Sequence, residues 1–386
     1  MRSFIKNLCR ASWVPRLSNI IVFAFSVLLT ILFYALRSNV YAMDGAAIHI
    51  SAPARWFLGL ISSVFPFSIT EVLIAFAIIW LFYYVIKTIV VIVRSNMKLK
   101  VFVKRLLTIA TVVLYAWGLF CWLWNSGYHA PGFGAKNGFA RGGVTVEDLT
   151  AVTTMFADKA NELAPLMKRD DDGHYIGDIK GFFEDSPFVY RNISEIFPTL
   201  EGSSNRPKPM LFSWLMSRTG YTGMYFALTG EANVNINSPA SLLPVTISHE
   251  MAHQRGIFSE DEASFVGILA AVTSEFPVYE YAGYLSGLMY LRSALFSADF
   301  DAWEAISESL CHEVNTDLRD YYDYWASQRT VNVGVEFFDN LLTSMTETLS
   351  DTVDSVYDEF LKSQNQELGL RSYGACVDLL VEYFRE

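Results

Sequence analysis

SLLPVTISHEMAHQRGIFSEDEASFVGILAA, residues 241–271, reads as two helices joined by a tight turn. Pro244 suits a first helical turn, where its missing N–H costs no hydrogen bond. Gly256 suits the left-handed residue that ends a helix and turns the chain back. Inside the first helix, His249-Glu250-Met251-Ala252-His253 forms an HExxH. Four residues of helix advance about 400°, so His249 and His253 lie about 40° apart on one face, one turn above the other. Two imidazoles so placed can take adjacent corners of a zinc tetrahedron, and Glu250 then reaches the activated water instead of the metal. A carboxylate in that position accepts the water's proton and delivers it to a leaving amine. The bland alternative is two ordinary histidines on an exposed helix, paired to nearby acids.

Beyond the turn comes an acidic stretch, Glu260-Asp261-Glu262-Ala263-Ser264, from which a third ligand can come. Glu260 and Glu262 compete for that position, because residues two apart on a helix point about 200° apart. Glu260-x-x-Ala263-Ser264 resembles the E-x-x-A-D pattern of gluzincin peptidases. That resemblance implies that Glu260 binds the metal and that the residue four later orients a ligand histidine. Ser264 stands here in place of the acid. Glu262 is left a structural hydrogen bond, or the place of alternative ligand.

The whole chain of 386 residues is 52% apolar and 18% charged, where an average soluble chain is about 25% charged. Disorder, collagen-like repeats and disulfide-dense miniproteins are excluded. Residues 1–127 hold 12 Lys/Arg against two acids, a net of +10, and residues 128–386 a net of −21. So acidic a domain argues against nucleic acid as a partner. Apolar runs at about 19–36, 68–93 and 106–124 each approach the ~20 residues that cross ~30 Å of hydrocarbon. Val40-Tyr41-Ala42 resembles a signal-peptide cleavage site, but the run before it is too long for one, so the first run reads as an uncleaved span. Arg2, Lys6, Arg10 and Arg16 precede the first run, and Arg94, Lys98, Lys100, Lys104 and Arg105 lie between the second and third. Only Arg37 and Arg55 lie between the first two. The positive-inside rule then puts the N-terminus in the cytoplasm and everything after residue 127 outside. Trp122, Trp124 and Tyr128 are expected to form an aromatic belt at the outer interface.

Three regions follow: a membrane region at 1–127, a Gly-rich linker at 128–144 and an exported domain at 145–386. Thr145-x-x-Asp148 is a capping-box pattern opening a helix to about Met167. Asp170, Asp171, Asp172 and Gly173 resemble the start of a calcium loop, but the register puts Ile179 at the twelfth position, so they read as a solvated turn. Cys311 and Cys376 share the exported domain, as a bridge or as two free thiols. Gly223–Leu228 and Ala232–Ile236 read as a hairpin around Thr229-Gly230-Glu231, and from Pro244 the pattern is helical with breaks near Gly256, Pro277 and Gly334. Glu231, Ala232, Asn233, Val234 and Asn235 are candidates for an exposed edge to which an extended peptide adds as a strand, the alternative being a purely structural hairpin. Tyr221, Tyr225 and Tyr373 are oxyanion donors by residue type. His49, His129, His174 and His312 lack partners at ligand spacing.

Three N-terminal spans, the stretch from Gly220 to Asn235 (GYTGMYFALTGEANVN), HEMAHQRG, EDEASF, and YDEFLKSQNQELGLRSYGACVDLL at 357–380 together resemble a bacterial membrane-protein family catalogued as domain of unknown function 3810. The resemblance implies a zinc-peptidase-like domain in a bacterial membrane, with Asn usual at the place of Ser264. The expected fold is mainly α: three transmembrane helices, then an exported, mostly helical zincin-like domain with a small β-hairpin or sheet. The expected function is a multi-pass, membrane-anchored zinc metallopeptidase acting outside the cytoplasmic membrane. It would use Zn²⁺ on His249, His253 and Glu260, with Glu250 as general base, a peptide or protein as substrate and the lipid bilayer as partner. Its rival is a non-catalytic, zinc-containing binding or scaffold protein of the envelope. The polar flanks Gln254, Arg255 and Glu260 argue against an intramembrane protease, and spans without charge pairs argue against a transporter.

Overall fold

The three apolar runs form helices. In the computed structural model, which describes residues 17–139, 144–328, 351, 355 and 373–385, the first is α1 (Leu17–Leu36). After it come α2 (Val40–Ala46), a π-helical turn at Ala47–Ser51 and α3 (Ala52–Ser63). The second and third runs are α4 (Ile69–Arg94) and α5 (Lys98–Phe120). Ser18–Leu36, Ile69–Arg94 and Lys98–Tyr128 are long and apolar enough to cross a membrane. The basic residues Lys98 to Arg105 are not a loop but the first turns of α5, since residues 95–97 alone connect it to α4. Their closeness to the helix ends keeps their weight in the charge bias.

The segment between α1 and α4 is folded, and α3 lies against the C-terminal part of the chain. Gly230 (φ +67°) meets it so closely that a Cβ there would stand 2.4 Å from the Arg55 carbonyl oxygen. The expected aromatic belt is only partial. Beyond α5 the chain continues through a π-helical turn, Cys121–Asn125, to Tyr128. Trp124 and Tyr128 are buried there against Ala227 and Phe258 of the C-terminal domain instead of facing lipid. Trp122 bonds across to α1 through Nε1 and the Leu29 carbonyl, 3.0 Å.

The linker is ordered at 131–139, where it carries a short helix, α6 (Phe133–Lys136), with Phe133 buried. Next comes α7 (Val146–Leu163), and its reciprocal capping box forms as expected: Asp148 N–H donates to Thr145 Oγ1, and Thr145 N–H to the Asp148 carboxylate. The Asp-rich turn is closed by bridging of Arg169 and Tyr175. Short helices α8 (Ile179–Asp185) and α9 (Arg191–Ile196) lead to strand β1 (Lys208–Pro209), helix α10 (Ser213–Arg218) and strands β2 (Gly223–Phe226) and β3 (Glu231–Val234). The remaining helices are α11 (Leu243–Gln254), α12 (Glu260–Val272), α13 (Pro277–Ala298), α14 (Phe300–Ser309), α15 (His312–Gln328) and α16 (Tyr373–Phe384).

The core gathers on α12, whose residues Phe265 to Ala271 are all buried, so that helix has no polar face. α11, α13 and α16 pack around it, and α7 lies along α13. Gly267 permits the closest approach: a Cβ there would stand 2.9 Å from the backbone of His249. The sheet order is β1-β3-β2, with β3 parallel to β1 and antiparallel to β2. Glu231 to Val234 therefore form a buried central strand and not the exposed edge expected: β2 pairs with all four residues, and β1 with Asn233 and Val234 on the other side. Cys311 and Cys376 are free thiols. Gly334, Cys9 and most of residues 357–380 lie outside the described residues.

Candidate metal centre

Pro244 falls in the first turn of α11, and Gly256 ends the helix with φ +86°, as their chemistry requires. Ile257 N–H then closes onto the Ala252 carbonyl at 3.1 Å, and the chain doubles back so that α12 begins at Glu260 beside the two histidines. His249 Nε2 lies 3.2 Å from Glu260 Oε2, and His253 Nε2 lies 3.6 Å from the same atom. One ligand atom from each of the three falls within 4.8 Å of the others. A tetrahedral ion with ~2.0–2.1 Å bonds separates neighbouring ligand atoms by roughly 3.3 Å. The spacings around Glu260 match that donor set.

Both imidazoles are oriented from behind. His253 Nδ1 contacts the Ile257 carbonyl oxygen at 2.7 Å, and His249 Nδ1 contacts Ser264 Oγ at 3.3 Å. Each ring thus has its Nδ1 engaged and presents Nε2 to the centre, the arrangement that tunes metal-binding histidines. Ser264 reaches the His249 ring from four residues after Glu260, with a hydroxyl where a carboxylate was the expected type. Glu262 points elsewhere. Its two oxygens accept the Phe133 N–H at 2.8 Å and the Gly134 N–H at 2.9 Å, which anchors α6. The choice between Glu260 and Glu262 follows from the helix: a 200° offset leaves one of them in the cluster and the other behind it.

Glu250 sits beside the cluster, buried, with Oε2 lacking a hydrogen-bond partner among the described residues. Burial pushes its carboxyl up to about 8. Gly223 on β2 runs directly against it, so closely that a Cβ would stand 2.3 Å from Glu250 Oε1; only glycine leaves that carboxylate its place. Burial opposes charge on His253, but the neighbouring Glu260 carboxylate outweighs it and holds the ring up at about 9. Burial dominates at His249 and lowers it. Glu260 is half-buried, which opposes its charge, yet the two histidines hold it well below the usual carboxylate range. Glu260 thus favours charge on both rings while burial opposes it, and the three side chains together offer one ligand atom each to a position that a divalent cation could take.

Sequence reasoning missed Arg55. From α3 its Nη1 donates to the His253 carbonyl oxygen at 3.1 Å and to Tyr225 Oη at 3.4 Å, and its Nε to Ser51 Oγ at 3.0 Å. Its guanidinium also faces the rings of Phe258, Tyr225 and Trp124 at 5.0–5.8 Å. The Trp124 ring lies 5.5 Å from that of His253, so the membrane region walls one side of the centre. One signal was in the sequence: apart from Arg37 at the end of the first run, Arg55 is the one Lys or Arg between the first two runs. Tyr225 is placed near the centre, its ring 6.4 Å from His253. Tyr221 serves through its carbonyl, which accepts from the Asn235 side chain, and the Tyr373 side chain lies outside the described residues.

The five residues read as a substrate edge do other work. Glu231 accepts the N–H groups of Ile69 (3.1 Å) and Thr70 (2.8 Å) and the Thr70 hydroxyl (2.8 Å), capping the N-terminal end of α4. Asn233 Oδ1 accepts the Ser68 hydroxyl at 2.6 Å, and Asn235 braces Ser217 and Tyr221. Ala232 and Val234 are fully buried. The strand alongside Glu250 is β2. His174 pairs with Asp320 at an exposed site and takes no part in the centre.

A protein-family model described as "Protein of unknown function (DUF3810)" matches residues 51–381. No curated protein and no solved structure matches the chain.

Proposed function

The chain belongs to this family of unknown function, and from the cluster itself we propose that it is a membrane-anchored zinc metallopeptidase acting outside the cytoplasmic membrane. One observation carries the reading: two imidazoles held at Nδ1 converge with Glu260 through their Nε2 atoms, next to the buried, unpartnered oxygen of Glu250. His249, His253 and Glu260 would hold the metal, and three protein ligands are the pattern of a catalytic site rather than a closed structural one. Zinc, when bound, supplies Lewis acidity, which activates water and polarises a carbonyl oxygen.

The chain's own residues supply the rest. Glu250, kept basic by burial, takes the proton of the attacking water and hands it to the leaving amine. Tyr225, steadied by Arg55, is the tyrosine within reach of developing negative charge. β2 ends the sheet, so its outer edge offers backbone groups to an extended peptide beside Glu250, in place of the strand first expected.

Purified full-length protein should contain about one zinc per chain by elemental analysis. His249→Ala and His253→Ala should lose it. Glu260→Ala should also lose it, while Glu262→Ala keeps its metal and loses stability instead, because its bonds hold α6. Equal zinc in the parent and the Glu260→Ala protein would remove Glu260 from the centre. The compartment is tested separately: alkaline phosphatase fused after Tyr128 should be active and a fusion after Asn96, between α4 and α5, should not. The reverse pattern would put the centre in the cytoplasm.

A further inference from the structure

Charge in this chain is unevenly placed even within its acidic part. Residues 202–230 contain no Asp or Glu, although residues 128–386 carry a net of −21. Inside that stretch Leu211, Phe212, Trp214 and Leu215 are exposed, Leu211 to 76% and Trp214 to 58%. Such a cluster on an otherwise acidic domain marks a contact surface.

Its position says what it contacts. The N–H groups of Leu211 and Phe212 donate to the two oxygens of Glu71, at 3.0 and 2.8 Å. Glu71 lies in the first turn of α4, and the side chains that follow it, Val72 and Leu73, are already exposed apolar surface of a membrane-length helix. Leu211 and Phe212 therefore stand level with the outer end of that helix and continue its apolar face sideways. A second strip joins them. Lys208 Nζ donates to the carbonyls of Ser62 and Phe67 at 2.8 and 3.0 Å, fastening the 62–67 turn beside the same element, and Val64 and Phe67 are exposed. Two separate chain segments thus present bulky apolar side chains around one helix end, with Lys208 between them buried.

We infer that the face formed by residues 211–215 and 64–67 is seated at the boundary of headgroups and acyl chains, in the outer leaflet on the topology proposed above. Tryptophan with leucine and phenylalanine is the mixture that boundary favours. The absence of acids spares the domain repulsion from anionic headgroups. The continuity of the face with the lipid-exposed surface of α4 favours lipid over a second copy of the chain.

The test uses the full chain in nanodiscs, in a background with its four cysteines replaced by serine. An environment-sensitive fluorophore is attached at Trp214→Cys, at Leu215→Cys as a second reporter on the same face, and at the exposed Asp171→Cys as reference. Lipids carrying a nitroxide near the headgroup should quench the two face reporters strongly and the reference little. Equal quenching at all three positions overturns the proposal, as does emission from the face reporters in a fully aqueous range. Blue-shifted emission without lipid quenching would assign the face to a protein partner and overturn it equally. A variant that does not fold is recognised by its lost thermal transition, and the other face reporter then decides.

Discussion

Replacing Glu250 with Gln should leave zinc in place and cut peptide hydrolysis by about 10²–10⁴-fold, the range for losing a general base. The glutamine keeps the size of the side chain, so β2 can still pass against it at Gly223. It is not among the three converging ligands, so metal affinity should hold. Folding should hold too, because glutamine matches the side chain in size and Glu250 Oε2 has no hydrogen-bond partner to lose among the described residues. What disappears is the base. The measurement is cleavage of a quenched peptide library by the parent and the Glu250→Gln protein at matched zinc content. Equal rates would sink the mechanism proposed here. No cleavage by the parent across a broad library would favour the binding or scaffold reading, in which zinc is structural.

The parts of this centre that a sequence displays are those fixed by local geometry. HExxH places two rings on one face because a helix has a fixed pitch, and Gly256 returns the chain because only a left-handed residue closes that turn. Glu260 and Glu262 separate by the same angular argument. The three helices long enough to cross a membrane show through length and apolarity alone. What stayed illegible depends on contacts between distant parts of the chain. Arg55 reaches His253 across a separation of 198 residues, and no periodicity announces such a pairing. Trp124 and Tyr128 have the composition of an interfacial belt, but a ring at the end of a span packs as readily against protein as against lipid. Glu231 misled for a similar reason. A hairpin strand just before the HExxH helix suggests an edge for an extended peptide, whereas Glu231 here is drawn inward by the N–H groups at the N-terminal end of α4.

That last contact carries the second large prediction. The first turn of α4 has backbone N–H groups without intrahelical partners, and the Glu231 carboxylate supplies acceptors for two of them while facing Lys208 Nζ at 3.3 Å. Both side chains are buried, so neither charge has water to fall back on. Glu231→Ala should destabilise the protein by about 3–5 kcal/mol, the range for stranding one member of a buried ion pair. The lower end is expected, because Lys208 keeps the backbone carbonyls of Ser62 and Phe67. Removing both charges separates the effects: the double variant Glu231→Gln, Lys208→Met should regain most of the loss, since no unpaired ion remains. Stability is read from the rate of chymotrypsin cleavage at residues buried in the parent, across a denaturant series in mild detergent. A cost below about 1 kcal/mol for Glu231→Ala, the range of an exposed ion pair, would mean that the carboxylate does not fasten the domain to α4. A full loss would have a consequence at the centre as well. β3 carries Glu231 at one end, packs against α11 and pairs with the β2 strand that confines Glu250. A loosened Glu231 should therefore lower peptide hydrolysis while His249, His253 and Glu260 still retain zinc, which distinguishes a lost mounting from a lost ligand.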